Sequence, residues 1–310
     1  MPCRATHVAV SKYADHLPLY RQYQIYKRGG VDLDRSTLAS WCGTAAYHLA
    51  PVVNRMLVHL KRSSRLFMDE TRAPVLDPGA GKTKTGYLWA VTRDDRGWGG
   101  EDPPAVVFTY APPSRRMPAF ACQAMGRHGS HAMDILRGFE RVLQVDGYTG
   151  YDALAEPRRV GGSPLTLAYC WANARRKLHD IYQKDGSEIA AEGLRRIAEI
   201  YKIEAKICGK TPDERLAVRQ DQSAPLVADF RLWLTKQRSR ISTESHLGEK
   251  LAYIHRHWDG LQIFLADGRV EMDTNPVENT IRPITLNRKN ALFAPIRDFG
   301  HAKTLSGNGA

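Results

Sequence analysis

The sequence predicts an α/β core preceded by a helical segment and interrupted by an all-helical insertion. Three observations carry this reading. Apolar residues recur at three- and four-residue intervals up to about Lys61. From Ser64 to Tyr110 they fall instead into short strand-like runs, and between about Ser187 and Trp258 the pattern is again helical almost throughout. Strands, helix, strand, helix in the middle of the chain describe a sheet with helices laid against it. A chain of 310 residues buries a substantial core as one elaborated domain or two.

The N-terminal segment, residues 1–62, starts with a helix expected over Tyr13 to Lys27 and broken at Gly29-Gly30. Asp34 and Ser36 are caps for a second helix, in which Leu38, Trp41, Ala45, Leu49, Val52, Met56 and Leu60 form one apolar stripe and Pro51 introduces a kink. Helix, glycine turn and helix fit either a DNA-contacting pair or a plain packing unit. Residues 63–186 form the first part of the core. Arg65 to Met68, Gly86 to Thr92 and Val106 to Tyr110 read as an antiparallel meander with Pro-, Gly- and Asp-rich turns. A short helix over His131 to Phe139 leads to a fourth strand, Arg141 to Val145. Leu165 to Cys170 makes a fifth, followed by a helix from Trp171 to Tyr182. Residues 187–260 are the insertion, with Leu194, Ile197, Tyr201 and Ile207 on one helical face. Residues 261–310 hold a final helix and a tail without strong period.

Composition narrows the function classes. No apolar run reaches the roughly 18–20 residues of a membrane helix, and Met1 to His7 lacks the apolar core of a secretory signal, so the cytoplasm is the expected compartment. Five cysteines without paired spacing argue against a disulfide framework and against a structural zinc site. Lys and Arg exceed Asp and Glu by 45 to 33, a net charge of +12, and recur in pairs such as Arg158-Arg159, Arg175-Arg176 and Arg288-Lys289. Polyanions are the natural partners of such a surface.

Three acidic segments carry the candidate chemistry: Asp69-Glu70-Thr71, Asp146-Gly147-Tyr148, and Asp273 to Pro283 with Glu278. Asp69 and Asp146 each follow an apolar strand-like run, and Glu278 stands just inside a helix start. Three carboxylates from distant segments can therefore meet at one point. Hard oxygen ligands suit Mg²⁺ or Mn²⁺, and two such ions about 3.5–4 Å apart would activate a nucleophilic oxygen and stabilise the leaving one in an in-line phosphoryl displacement. Each acidic residue alone reads equally well as a turn, cap or helix-dipole residue. Around Glu278, Asn275 reads as a cap with Pro276 at the first helical position. Arg282 follows Glu278 by four residues on the same helical face, and Arg288 and Lys289 lie just beyond. Gly79 to Thr83 lacks the first glycine of a phosphate loop, since Leu76 stands there, and reads as a basic hairpin loop. Its Lys82, with nearby Lys84, can face DNA phosphates. His255 and His257 do not share a helical face and read as surface residues.

The chain resembles DDE transposases of the insertion sequence sixty-six type. The matching stretches are Val10 to Gln22, Asp69-Glu70-Thr71, Gly81 to Ala90, Gln144 to Tyr151, Tyr169 to Leu178 and Asp273 to Phe293. The resemblance implies a ribonuclease H-like mixed sheet flanked by helices, with Asp69, Asp146 and Glu278 as catalytic metal ligands for Mg²⁺ or Mn²⁺. It also implies that Arg282 places the target phosphate or orients Glu278. Trp171, Arg175 and Arg176 keep their places in a tryptophan-rich motif, whereas Asn173 stands where the family has histidine.

The expected function is metal-dependent strand cleavage and strand transfer by a transposase core. Its expected partners are DNA, further copies of the chain on DNA, and accessory proteins of the same element. The competing expectation is a catalytically silent DNA-binding remnant. Two differences from the family support the competing view: the missing N-terminal end-recognition segment with its zinc module, and the divergence of Pro113 to Gly129 and of the tail after Ala294.

Overall fold

The computed structural model describes residues 2–76, 83–111 and 129–291. Three helices open the chain: α1 (Pro2–Tyr13), α2 (Leu19–Arg28) and α3 (Arg35–Leu60). The single helix expected over Tyr13 to Lys27 is thus two. The chain turns between them at His16, which adopts a left-handed φ of 55°, and Pro18 stands at the N-cap of α2. Helix α3 runs 26 residues through Pro51. Val8, Leu38 and Cys42 are the buried seam joining this segment, with Trp41 and Tyr23 packed around it.

A five-stranded sheet follows, in the order β3-β2-β1-β4-β5. Strands β1 (Arg65–Leu76), β2 (Thr83–Arg93) and β3 (Ala105–Ala111) form the antiparallel meander. Strands β4 (Val142–Val145) and β5 (Thr166–Tyr169) add to β1 in parallel, with the short helix α4 (Gly129–Ile135) preceding β4. β1 does not stop at Met68 as expected. Its antiparallel ladder with β2 continues from Phe67↔Thr92 to Leu76↔Thr83, so Asp69 lies within the strand, opposite Ala90. The charged residues that look like a strand end are accommodated because β2 supplies backbone partners there and alternate side chains leave on opposite faces.

Helix α5 (Trp171–Asp185) leaves β5 directly, and α6 (Glu188–Ile207), α7 (Pro212–Val218), α8 (Ala224–Arg238), α9 (His246–Arg256) and α10 (Trp258–Leu261) form the helical region before α11 (Asn275–Ala291). Two apolar layers hold the sheet. On one face Leu66, Met68, Trp89, Val91, Leu143 and Val145 pack with Leu60, Leu136, Phe139 and Tyr151. The other core joins β5 and α5 to the helical region, where Trp171 packs edge-on against Phe230, Trp258 and Phe264 and donates its indole N–H to the Leu261 carbonyl at 2.7 Å.

Buried arginines tie this helical region to the strands. Arg215 makes a two-pronged pair with Glu271 at 2.9 and 2.9 Å. The Glu271 backbone exchanges two bonds with the Gln144 side chain, which accepts from Arg65 at 3.2 Å. Glu204 holds Arg219 by two further bonds. Arg159, expected at the surface as half of a basic pair, is buried and donates to the carbonyls of Leu136, Phe139 and Ser163.

Candidate active site

Strand alternation decides which side chains can meet. Phe67 and Asp69 leave β1 on the face that α11 covers, whereas Leu66 and Met68 enter the opposite layer. The parallel register with β4 ends at Phe67↔Gln144. The ladder stops two residues short of Asp69 and Asp146, but its register brings both to the same side of the β1–β4 junction, where the Asp146 charge acts on Asp69. Asp146 is the first residue beyond β4, where the chain turns away: its Oδ1 accepts from the Tyr148 amide at 2.9 Å, and Gly147 takes a φ of 88°. That turn is enclosed from two helices. The Asp146 carbonyl accepts from Asn173 Nδ2 of α5 at 3.0 Å and from the Tyr253 hydroxyl of α9 at 2.9 Å.

Glu278 arrives from the first turn of α11, whose Val277 and Ile281 pack on Phe67 and Ala90. The amides of Val277 and Glu278 both bond the Thr274 carbonyl, which sets the start of the helix. Asn275 lies within α11 and not at its cap, and its amide group donates to Asp273 Oδ2 at 2.8 Å. The Glu278 carboxylate takes the Thr274 hydroxyl at 3.5 Å and the Arg176 guanidinium at 3.8 Å. Its ion pair thus runs across to α5, to Arg176, and not along the helix to Arg282.

Asp69, Asp146 and Glu278 line a single open cavity of about 300 Å³ together with Glu70, Thr71, Asn173, Arg176, Ile281, Arg282 and Thr285. Burial, then the charge of Asp146, pushes the Asp69 carboxyl up to about 7, against the Glu70 amide that donates to Asp69 Oδ1 at 2.7 Å. Glu70 is raised in turn, chiefly by burial, although the buried Tyr151 hydroxyl donates to it at 2.6 Å and opposes the rise. Burial followed by the Asp146 charge holds the Tyr253 phenol above its usual range, so it stays a donor. The site therefore gathers negative charge faster than it neutralises it. Among the described residues no three His, Cys, Asp or Glu side chains stand close enough to enclose one ion.

The other expected site residues divide. Arg176 and Arg282 line the cavity, while Arg175 is exposed and does not. Lys82 lies outside the described residues. Lys84 is in β2, and Arg288 and Lys289 are in α11, in each case without a described side chain. His257 corrects the surface reading: it is buried, with Tyr169 and Tyr253 against its ring at 4.7 and 4.1 Å. Glu70, Asn173 and Tyr253 were not singled out as site residues by spacing. Glu70 follows Asp69 directly, and strand alternation disguises its role. Tyr253 lies 107 residues beyond Asp146, and no local pattern links them.

Comparison with known proteins places the chain in a family. The model described as "Transposase IS66 family" matches residues 3–302. Two relatives from Sinorhizobium fredii (strain NBRC 101917 / NGR234) are "Uncharacterized protein y4jD", 42% identical over 290 residues, and "Uncharacterized protein y4qI", 40% identical over 291. Each alignment covers 93% of this chain, but 54% and 51% of the relative, so the chain spans about half the length of the curated relatives it matches. With a family match running almost from end to end, the chain belongs to the IS66 family of transposases.

Proposed function

We propose that this chain is the catalytic core of a DNA transposase, with a ribonuclease H-like sheet carrying Asp69, Asp146 and Glu278 as ligands for Mg²⁺ or Mn²⁺. The observation that supports it most is the shared cavity, in which three carboxylates from β1, the end of β4 and α11 face two arginines. The strand order, an antiparallel meander extended by two parallel strands, agrees with that fold. The donors also fit the metal. All are hard oxygens, and a cation would offset both causes of the upward displacement of Asp69, burial first and the Asp146 charge second. An open, one-sided set is compatible with Mg²⁺, which keeps several waters and takes one or two carboxylates together with substrate phosphates.

When bound, divalent cations supply activation of the attacking oxygen and stabilisation of the leaving oxygen. Asp69 and Asp146 hold the ligand pair on adjacent strands. Glu278 completes the set from α11, oriented by Thr274 and Arg176. Arg176 and Arg282 stand on opposite helices at the cavity and receive the scissile phosphate, for which the planar guanidinium is suited. Basic side chains elsewhere contact the DNA backbone, and a second copy of the chain on the same DNA joins in strand transfer.

Nicking of supercoiled plasmid with Mg²⁺ or Mn²⁺ tests this. The parent chain is expected to nick without sequence preference, and Asp69→Asn, Asp146→Asn and Glu278→Gln each to reduce the rate by about 10²–10³-fold, corresponding to several kcal/mol of lost charge stabilisation. Nicking that survives all three substitutions removes the assignment. DNA binding with no metal-dependent nicking under any condition would favour the silent-remnant reading.

A further inference from the structure

The helical region is more than a spacer between β5 and α11, because Tyr253 of α9 reaches out of it to the backbone of Asp146, where Asn173 of α5 meets it. The Asp146 carbonyl carries two side-chain donors, the Tyr253 hydroxyl at 2.9 Å and Asn173 Nδ2 at 3.0 Å. The fit around the turn is close. A Cβ on Gly147 would collide with the Tyr253 hydroxyl and crowd the His257 ring, and the φ of 88° there also disfavours any side chain. Tyr253 is itself held in place. Its ring lies under the Lys177 ammonium at 4.0 Å and beside His257, whose Nδ1 is 2.8 Å from the Tyr253 carbonyl. Asn173 and Lys177 are one helical turn apart on α5, so α5 and α9 approach the Asp146 turn together.

We propose that Tyr253, with Asn173, is a positioning residue for the active site. By holding the Asp146 carbonyl it fixes the turn that aims the Asp146 carboxylate at the cavity, and so couples the docking of α9 to metal affinity. This rests on the reading of Asp146 as a metal ligand. Partners of this kind, which orient a ligand without touching the ion, typically change metal affinity by about 10–100-fold when removed.

The test uses the full chain with Tyr253→Phe, which deletes one hydroxyl and keeps the ring. In metal-free protein, deuterium exchange of the peptide spanning residues 145–149 is expected to become about three- to tenfold faster, the range that loss of one hydrogen bond allows. Calorimetric titration with Mn²⁺ is expected to show Kd raised about tenfold or more. Unchanged exchange overturns the proposal. So does a Kd within twofold of the parent's while Asp146→Asn abolishes binding. If Asp146→Asn instead leaves Mn²⁺ binding intact while Tyr253→Phe still accelerates exchange, the metal assignment falls and the positioning of the turn stands. Should Tyr253→Phe lower Tm, Asn173→Ala removes the other donor without touching the half-buried ring and is read in the same two assays.

Discussion

Asp69 concentrates the electrostatics of the site. Its carboxyl is pushed from 3.8 to about 7 by burial and by Asp146, so in the folded, metal-free protein it holds its proton where the unfolded chain has lost it. A raised folded value means that the stabilising contribution is complete below about pH 4 and is lost as pH rises through about 7. We expect the metal-free protein to lose stability across that window, by at most about 4 kcal/mol from this group. Asp69→Asn is expected to flatten this part of the profile, as measured by Tm against pH. The same substitution should raise the metal-free Tm at pH 8 while it removes nicking, separating stability from activity. A wild-type profile as flat as the variant's would show that Asp69 is not perturbed. Tyr151 matters at this scale too, since its hydroxyl is the donor that satisfies the half-buried Glu70 at 2.6 Å.

Among the elements, α11 is the one whose seating controls the third carboxylate. Val277 and Ile281 anchor it on Phe67 and Ala90, and Thr280 meets Thr92 at 3.5 Å. Ile281→Ala is expected to cost about 2–4 kcal/mol in urea unfolding, as large-to-small changes in cores do. It should also depress nicking beyond the loss of folded protein, because Ile281 lines the cavity one turn from Glu278. Activity that tracks only the folded fraction would show that α11 need not be held closely. The local character of these elements was readable from residue order. The short fourth and fifth strands fall where alternation puts them, whereas β1 runs on past Met68 to Leu76 and α11 begins at Asn275, the residue expected to cap it. The single helix drawn across His16 failed because Pro18, which keeps the preceding residue out of the helical region and starts α2, was outweighed by helical spacing on either side of it.

Across the whole molecule, the helical region and the sheet share buried charge as well as apolar surface. Arg65, Arg215 and Arg219 are almost fully buried, and a chain of contacts runs from Arg219 and Glu204 through Arg215 and Glu271 to Gln144 and Arg65. Removing one member strands a charge, so Glu271→Ala is expected to destabilise by about 3–5 kcal/mol, measured by chemical unfolding, whereas an exposed pair such as Lys202 with Glu199 is expected to matter little. These arginines are matched by Asp95, Glu271 and Glu204, so the buried network offers DNA no charge of its own and leaves the net +12 to the other residues. Affinity for a DNA duplex is expected to fall steeply and linearly in log salt. The slope counts the phosphates neutralised, and substituting Arg282, if it contacts phosphate as proposed, is expected to reduce it by about one. A flat salt dependence would exclude backbone binding as the main contact.

The sequence by itself determined the α/β class, the three acidic segments and the membership in a transposase family, because strand alternation, helix starts and short motifs are local and survive without coordinates. Tertiary structure alone decided three further points. Asp69 and Asp146 meet through a register set by β1 and β4, Glu278 pairs with Arg176 and not with its helical neighbour Arg282, and Tyr253 closes on the Asp146 carbonyl from 107 residues away. Each depends on which faces pack together, and that is settled by burying the layers on both sides of the sheet, a balance summed over many residues that no single segment of the chain contains.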